Sequence, residues 1–179
     1  GADDSAAAVL TRAADMDAAA EFADANVYVS GGTSGGSQVY KVTSTVSTLG
    51  TDAVTFVATC TACSAVAVAT TQNLDTEHTG TWTYDNAAGT LTFGAQGTAA
   101  NTVNGVTLTA NQRILVKDQT TAAQNGVYSL TTAGADDSAA AVLTRAADMD
   151  AAAEFADANV YVSGGTSGGS QVYKVTSTV

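Results

Sequence analysis

Apolar and polar residues alternate with a period of two in short runs, and Gly, Asn, Asp and Ser punctuate the runs. That pattern predicts strands and turns rather than long helices. In Thr81-Trp82-Thr83-Tyr84 the aromatics fall on one face and the threonines on the other, and Thr90-Leu91-Thr92-Phe93 repeats the arrangement. The DNAAG stretch at 85–89 predicts a hairpin turn between them. Trp82, Tyr84, Leu91 and Phe93 would then share one apolar patch. Further strands are expected at 9–12, 27–30, 38–44, 54–58, 105–108, 113–117 and 126–131, with equivalents of the first three at 142–145, 160–163 and 171–177. One short helix is expected within 13–25, capped by Asp15, with Met16, Ala20 and Phe22 toward the core.

The equivalents exist because the 46 residues Gly1 to Val46 recur unchanged as Gly134 to Val179, a period of 133 residues. A single compact fold does not need one string at both ends, since the copies would compete for the same partners. The copies therefore belong to successive units of an array, and 133 residues is an ordinary domain size. The fold expectation is all-β: a sandwich or barrel-like repeat domain with one short helix, in tandem units of 133 residues. Identity between copies, surface positions included, suits a function that depends on length and regularity.

Charge narrows the partners. The chain carries −11, and removing the net −4 of one copy leaves −7 per period. A polymer of such units repels itself and argues against nucleic acid or anionic membrane partners. No apolar run approaches the roughly 18 residues that span a bilayer, so membrane insertion is not expected. Abundant Thr, Ser, Ala, Gly and Val with few Lys and no Pro suits an extracellular β-rich scaffold.

The blocks RILVKDQTTAAQNGVY (113–128) and LTRAADMDAAAEF (143–155), with AVATTQNL, VNGVTLTANQ, NVYVSGGTSGGSQVYKV and STLGTDAVTFV, resemble a domain of tailed-phage tail fibres and very large bacterial surface proteins. In the order of that family, residues 1–58 are the C-terminal part of one unit. Residues 59–66 are a junction, and 67–179 are the next unit without its last strand. The resemblance implies an extracellular, cell-surface or virion-surface repeat that spaces or presents other modules, with no catalytic residue to carry over. The hairpin region 80–102 departs from the family pattern and is a candidate contact between neighbouring units or fibres.

Cys60 and Cys63 form a CxxC in that junction. A disulfide is the leading reading, closing a tight turn or cross-linking two chains; a free pair and a metal site remain as alternatives. The acids Asp3, Asp4, Asp15 and Asp17 form a weak calcium candidate, since hard cations take several oxygen ligands. They lack the spacing of a calcium loop, and a capped helix with a solvated acidic face accounts for them. No other cofactor is expected. His78, the one histidine, reads as a solvated loop residue, and the GGTSGGS stretch at 31–37 as a flexible hairpin loop rather than a phosphate cradle.

Two functional expectations result. The first is a non-catalytic structural module of a long extracellular fibre, filament or stalk, whose partners are identical neighbouring units and neighbouring chains. The alternative is a multivalent carbohydrate-binding module, adhesin or tail-fibre, using Trp82, Tyr84, Tyr28 or Tyr40 against glycans. No set of nucleophile, base and orienting group can be assembled, so an enzyme is not expected.

Overall fold

The computed structural model describes residues 10–29, 38–58, 65–136, 138–155 and 158–176. In chain order its strands are β1 (Asn26–Val29), β2 (Gln38–Val42), β3 (Phe56–Ala58), β4 (Val68–Ala69), β5 (Trp82–Asp85), β6 (Thr90–Gln96), β7 (Thr102–Val103), β8 (Val106–Thr107), β9 (Arg113–Val116), β10 (Gly126–Thr132), β11 (Ala140–Arg145), β12 (Asn159–Val162) and β13 (Gln171–Lys174). The only α-helical turns among the described residues are α1 (Leu74–Glu77) and α2 (Ala152–Phe155). Strands predominate, and none of the several sheets closes on itself.

The central sheet has the order β4-β9-β10-β11-β6-β5, with β4 parallel to β9 and every other pair antiparallel. Its β5–β6 hairpin forms as the alternation predicts, with Trp82 opposite Phe93 and Tyr84 opposite Leu91. Asp85 accepts the N–H groups of Ala87 and Ala88 in the turn, which Gly89 closes at a φ of 62°. The hairpin is a full member of the sheet: β6 pairs with β11, and Trp82, Leu91 and Phe93 join the main core.

The run Ile114-Leu115-Val116 shows no polar alternation because both faces of β9 are covered. Ile114 and Val116 lie in the main core with Tyr128, Leu130 and Leu143. Leu115 and Val127 face a second cluster with Met149, Val160 and Val162, under the β12–β13 hairpin. A parallel bridge between Val66 and Val162 ties that hairpin to the start of β4.

The identical string is thus seen in two environments. Both copies fold the same hairpin in the same register, Asn26 opposite Lys41 and Asn159 opposite Lys174. Beyond that they differ. Leu143 is 2% exposed within β11, whereas Leu10 is 96% exposed and forms no strand; Val160 is 2% exposed and Val27 36%. β11 exists because β10 and β6 flank it. Over residues 10–12 the strand expected at 9–12 is not formed.

The expected capped helix within 13–25 is also corrected. Two short 3-10 turns, Ala14–Met16 and Ala19–Phe22, stand in its place, and no side chain caps the first. In the second copy the same residues, Ala152–Phe155, form one α-helical turn, α2. The capping that does occur comes from the other end, where the Glu21 carboxylate accepts the Ala18 N–H at 2.6 Å. In the second copy Glu154 does the same for Asp150 and Ala151. Phe22 is buried as expected, but Ala20 is exposed.

Candidate functional site

A cleft of about 440 Å³ lies between the central sheet and the β12–β13 hairpin. One wall is Leu115 and Val116 of β9 and the Lys117 that follows, with Gly126 at the start of β10; the other is Tyr173 and Lys174 of β13 with Val175 and Thr176 after it. Arg145, Met149 and Phe155 form the floor and end.

Arg145 is held from every side. It donates to the carbonyls of Asn125 at 3.0 Å and Ala123 at 3.1 Å, and to the Tyr128 hydroxyl at 2.8 Å. Its guanidinium also lies 4.8 Å from the Tyr128 ring centre and 5.9 Å from that of Phe155. Gly126, at a φ of 150°, is where that guanidinium passes, and a Cβ there would run into it. Burial pushes the Tyr128 hydroxyl above its ordinary value despite the adjacent Arg145. It therefore stays protonated, donating to the Gln124 carbonyl at 2.6 Å. Lys117 pairs with Asp118 at 2.8 Å and sits 5.6 Å from the Tyr173 ring centre. Arg145 and Lys117 are thus committed to the protein itself, and the walls offer chiefly apolar side chains and strand backbone.

The residues singled out in the sequence are scattered. Cys60, Cys63, Asp3, Asp4 and the loop 31–37 lie outside the described residues. Asp15 and Asp17 are exposed, and among the described residues no three or more His, Cys, Asp or Glu gather where a cation could be held. The second-copy counterpart of Asp15, Asp148, accepts with both carboxylate oxygens from one guanidinium nitrogen, Nη2 of Arg113, each at 2.9 Å, which is a structural ion pair.

His78 is not the solvated loop residue expected. It is half-buried at the end of α1, with Nε2 3.0 Å from the Thr102 carbonyl and Nδ1 accepting from Trp82 Nε1 at 3.2 Å. Nδ1 also lies 3.3 Å from the Leu74 carbonyl, so the ring is held at both nitrogens. The GGTSGGS loop in its second copy is anchored too: Thr166 donates to the Asn104 carbonyl, and the Asn104 amide donates to the Ser167 carbonyl at 2.7 Å.

Of the aromatics considered for glycans, Trp82 is buried, Tyr84 lines the cleft, and Tyr40 lies half-buried in β2. Tyr28 stacks on Tyr161, the same residue of the other copy, with ring centres 4.0 Å apart and planes 10° apart. The cleft escaped sequence reasoning because its lining comes from five separated stretches, around 84–86, 115–117, 122–126, 145–160 and 173–176. The only local signal was the cationic residues Lys117, Arg145 and Lys174 in an acidic chain.

No helix among the described residues is long and apolar enough to cross a membrane. Comparison with protein-family models, curated proteins and solved structures yields no match to this chain.

Proposed function

We propose that the chain is a non-catalytic structural module, one stretch of a tandem array of 133-residue units forming a long extracellular or virion-surface fibre, filament or stalk. Each unit is read as a two-layered sandwich, the central sheet carrying the hairpin of the repeated string on one face. The observation that carries the proposal is the unchanged 46-residue string, whose two copies fold the same hairpin and meet through the stacked Tyr28 and Tyr161. The resemblance to tail-fibre and bacterial surface-protein domains points the same way. Cryo-electron microscopy of a chain of three or more units tests it. Domains in fixed register along an ordered filament are the expected result, and freely jointed beads would remove the filament reading.

A second reading, a multivalent carbohydrate-binding module, draws on the cleft, where Tyr84, Phe155 and Tyr173 offer aromatic surface. Binding of a multi-unit chain on a glycan array, lost on Tyr84→Ala, would favour it over the structural reading.

A further inference from the structure

We infer that the outer face of the repeated hairpin is a contact surface whose partner is a second copy of that same face, and that it joins units of the array two at a time. The inference rests on the structural-module reading and names the contact that sets its spacing.

In the second copy Val160 and Val162 point into the cluster shared with Leu115 and Val127, so Tyr161 between them points away from it. Val172 stands opposite Tyr161 on the same outer face. The first copy keeps that register and sets Val39 opposite Tyr28. These two outer faces meet. The Tyr28 and Tyr161 ring centres are 4.0 Å apart with planes 10° apart, β2 lies against β12, and Val39 is 1% exposed although it faces outward. Its counterpart Val172 is half-buried, so the two hairpins cover each other unequally. The faces that the hairpins turn to the cores of their own units take no part. The contact therefore leaves room for a complete central sheet behind each hairpin. β1 and β2 carry no acid, which lets two copies approach in a chain of net charge −11.

A patch that meets the same patch on its partner is satisfied by one partner, whereas an open filament needs two different patches. Tyr28 and Tyr161 are one residue of one string. If every junction repeated their contact, each ring would lie 4.0 Å from the rings of both neighbours, and the first and third of any three rings within twice that distance. Two packed sheets alone are about 10 Å deep. Whole units do not stack at such a spacing. The contact therefore serves alternate junctions, and the structural repeat of the array is two units rather than one.

The test labels the whole chain with a fluorinated tyrosine and follows it by fluorine NMR, each signal assigned by replacing one tyrosine at a time with phenylalanine. Tyr161→Leu should move the Tyr28 signal and Tyr28→Leu the Tyr161 signal, because each ring loses the ring current of the other. Leucine keeps an apolar side chain at positions outside both core clusters, so the hairpins themselves persist. Neither shift should change on dilution, since the paired units belong to one chain. A chain of three units should then hold, on average, two ring-shifted tyrosines at this position for each unshifted one, and a chain of four units only shifted ones. No reciprocal movement, loss of the shift on dilution, or three shifted rings in the three-unit chain would each overturn the inference, the last in favour of a continuous ladder. An ordered filament without mutual displacement of the two signals would remove the pairing and leave the module standing, and paired rings without a filament would do the reverse.

Discussion

Leu10 and Leu143 are one residue of one string, and the chain contains its own control for what burial contributes. Leu143 is enclosed by the main core, while Leu10 is 96% exposed. Leu143→Ala should therefore cost about 2–5 kcal/mol in chemical denaturation, and Leu10→Ala should fall within about 0.5 kcal/mol of the parent. Arg145 and Arg12 differ in the same way: both keep a ring beneath the guanidinium, Phe155 and Phe22, but Arg145 adds the carbonyls and hydroxyl around it. Asp52 gives a residue-scale pH prediction. Its carboxylate accepts the N–H groups of Thr48 and Ser47, each at 2.8 Å, which holds it below the usual carboxylate range. The folded value lies below the unfolded one, so the turn is fully supported above the unfolded value and loses that support as pH falls through the folded one. The amide shifts of Ser47 and Thr48 should follow that acid titration, and Asp52→Asn should abolish it.

At the scale of elements, the sequence is legible where a partner is close along the chain. Trp82 to Phe93 could be read as a hairpin because its alternation, its turn and both its strands lie within a dozen residues. The stretch 9–12 could not, since its counterpart becomes β11 only between β10 and β6. Pairing that is non-local is invisible to a local pattern. The same holds for Ile114-Leu115-Val116, whose two buried faces erase the period, and for the cleft, whose walls converge from distant stretches. The acids at 15 and 17 misled because an acidic residue before an alanine-rich run reads as a helix cap, whereas no side chain caps the turn that forms there. The GGTSGGS loop carries an element-scale prediction. Asn104, at a φ of 46°, ties its second copy to the β7–β8 turn through the Thr166 and Ser167 contacts. Asn104→Ala should speed hydrogen exchange at the amides of Thr166 and Ser167 and leave that of β10 unchanged.

For the whole molecule, apolar contact and charge act in opposite directions. The chain carries −11 at neutral pH with an isoelectric point near 4.1, so copies in solution repel one another. The exposed surface that could hold them together is small and apolar: Phe56 and Val57 on β3. Repulsion between exposed charges is screened beyond about 10 Å at 0.1 M salt, whereas the burial of apolar area is not. Association of the 179-residue chain should then be weakest at pH 7 in low salt. It should rise on adding salt and rise further as protonation of the carboxylates brings the net charge toward zero near pH 4.1. Sedimentation velocity across that range separates the two contributions. Phe56→Asp, at an exposed position where folding does not depend on the ring, should suppress the salt-dependent association at pH 7. If Phe56→Asp and the parent chain sediment alike throughout, charge neutralisation alone brings the copies together and the apolar strand has no part in it.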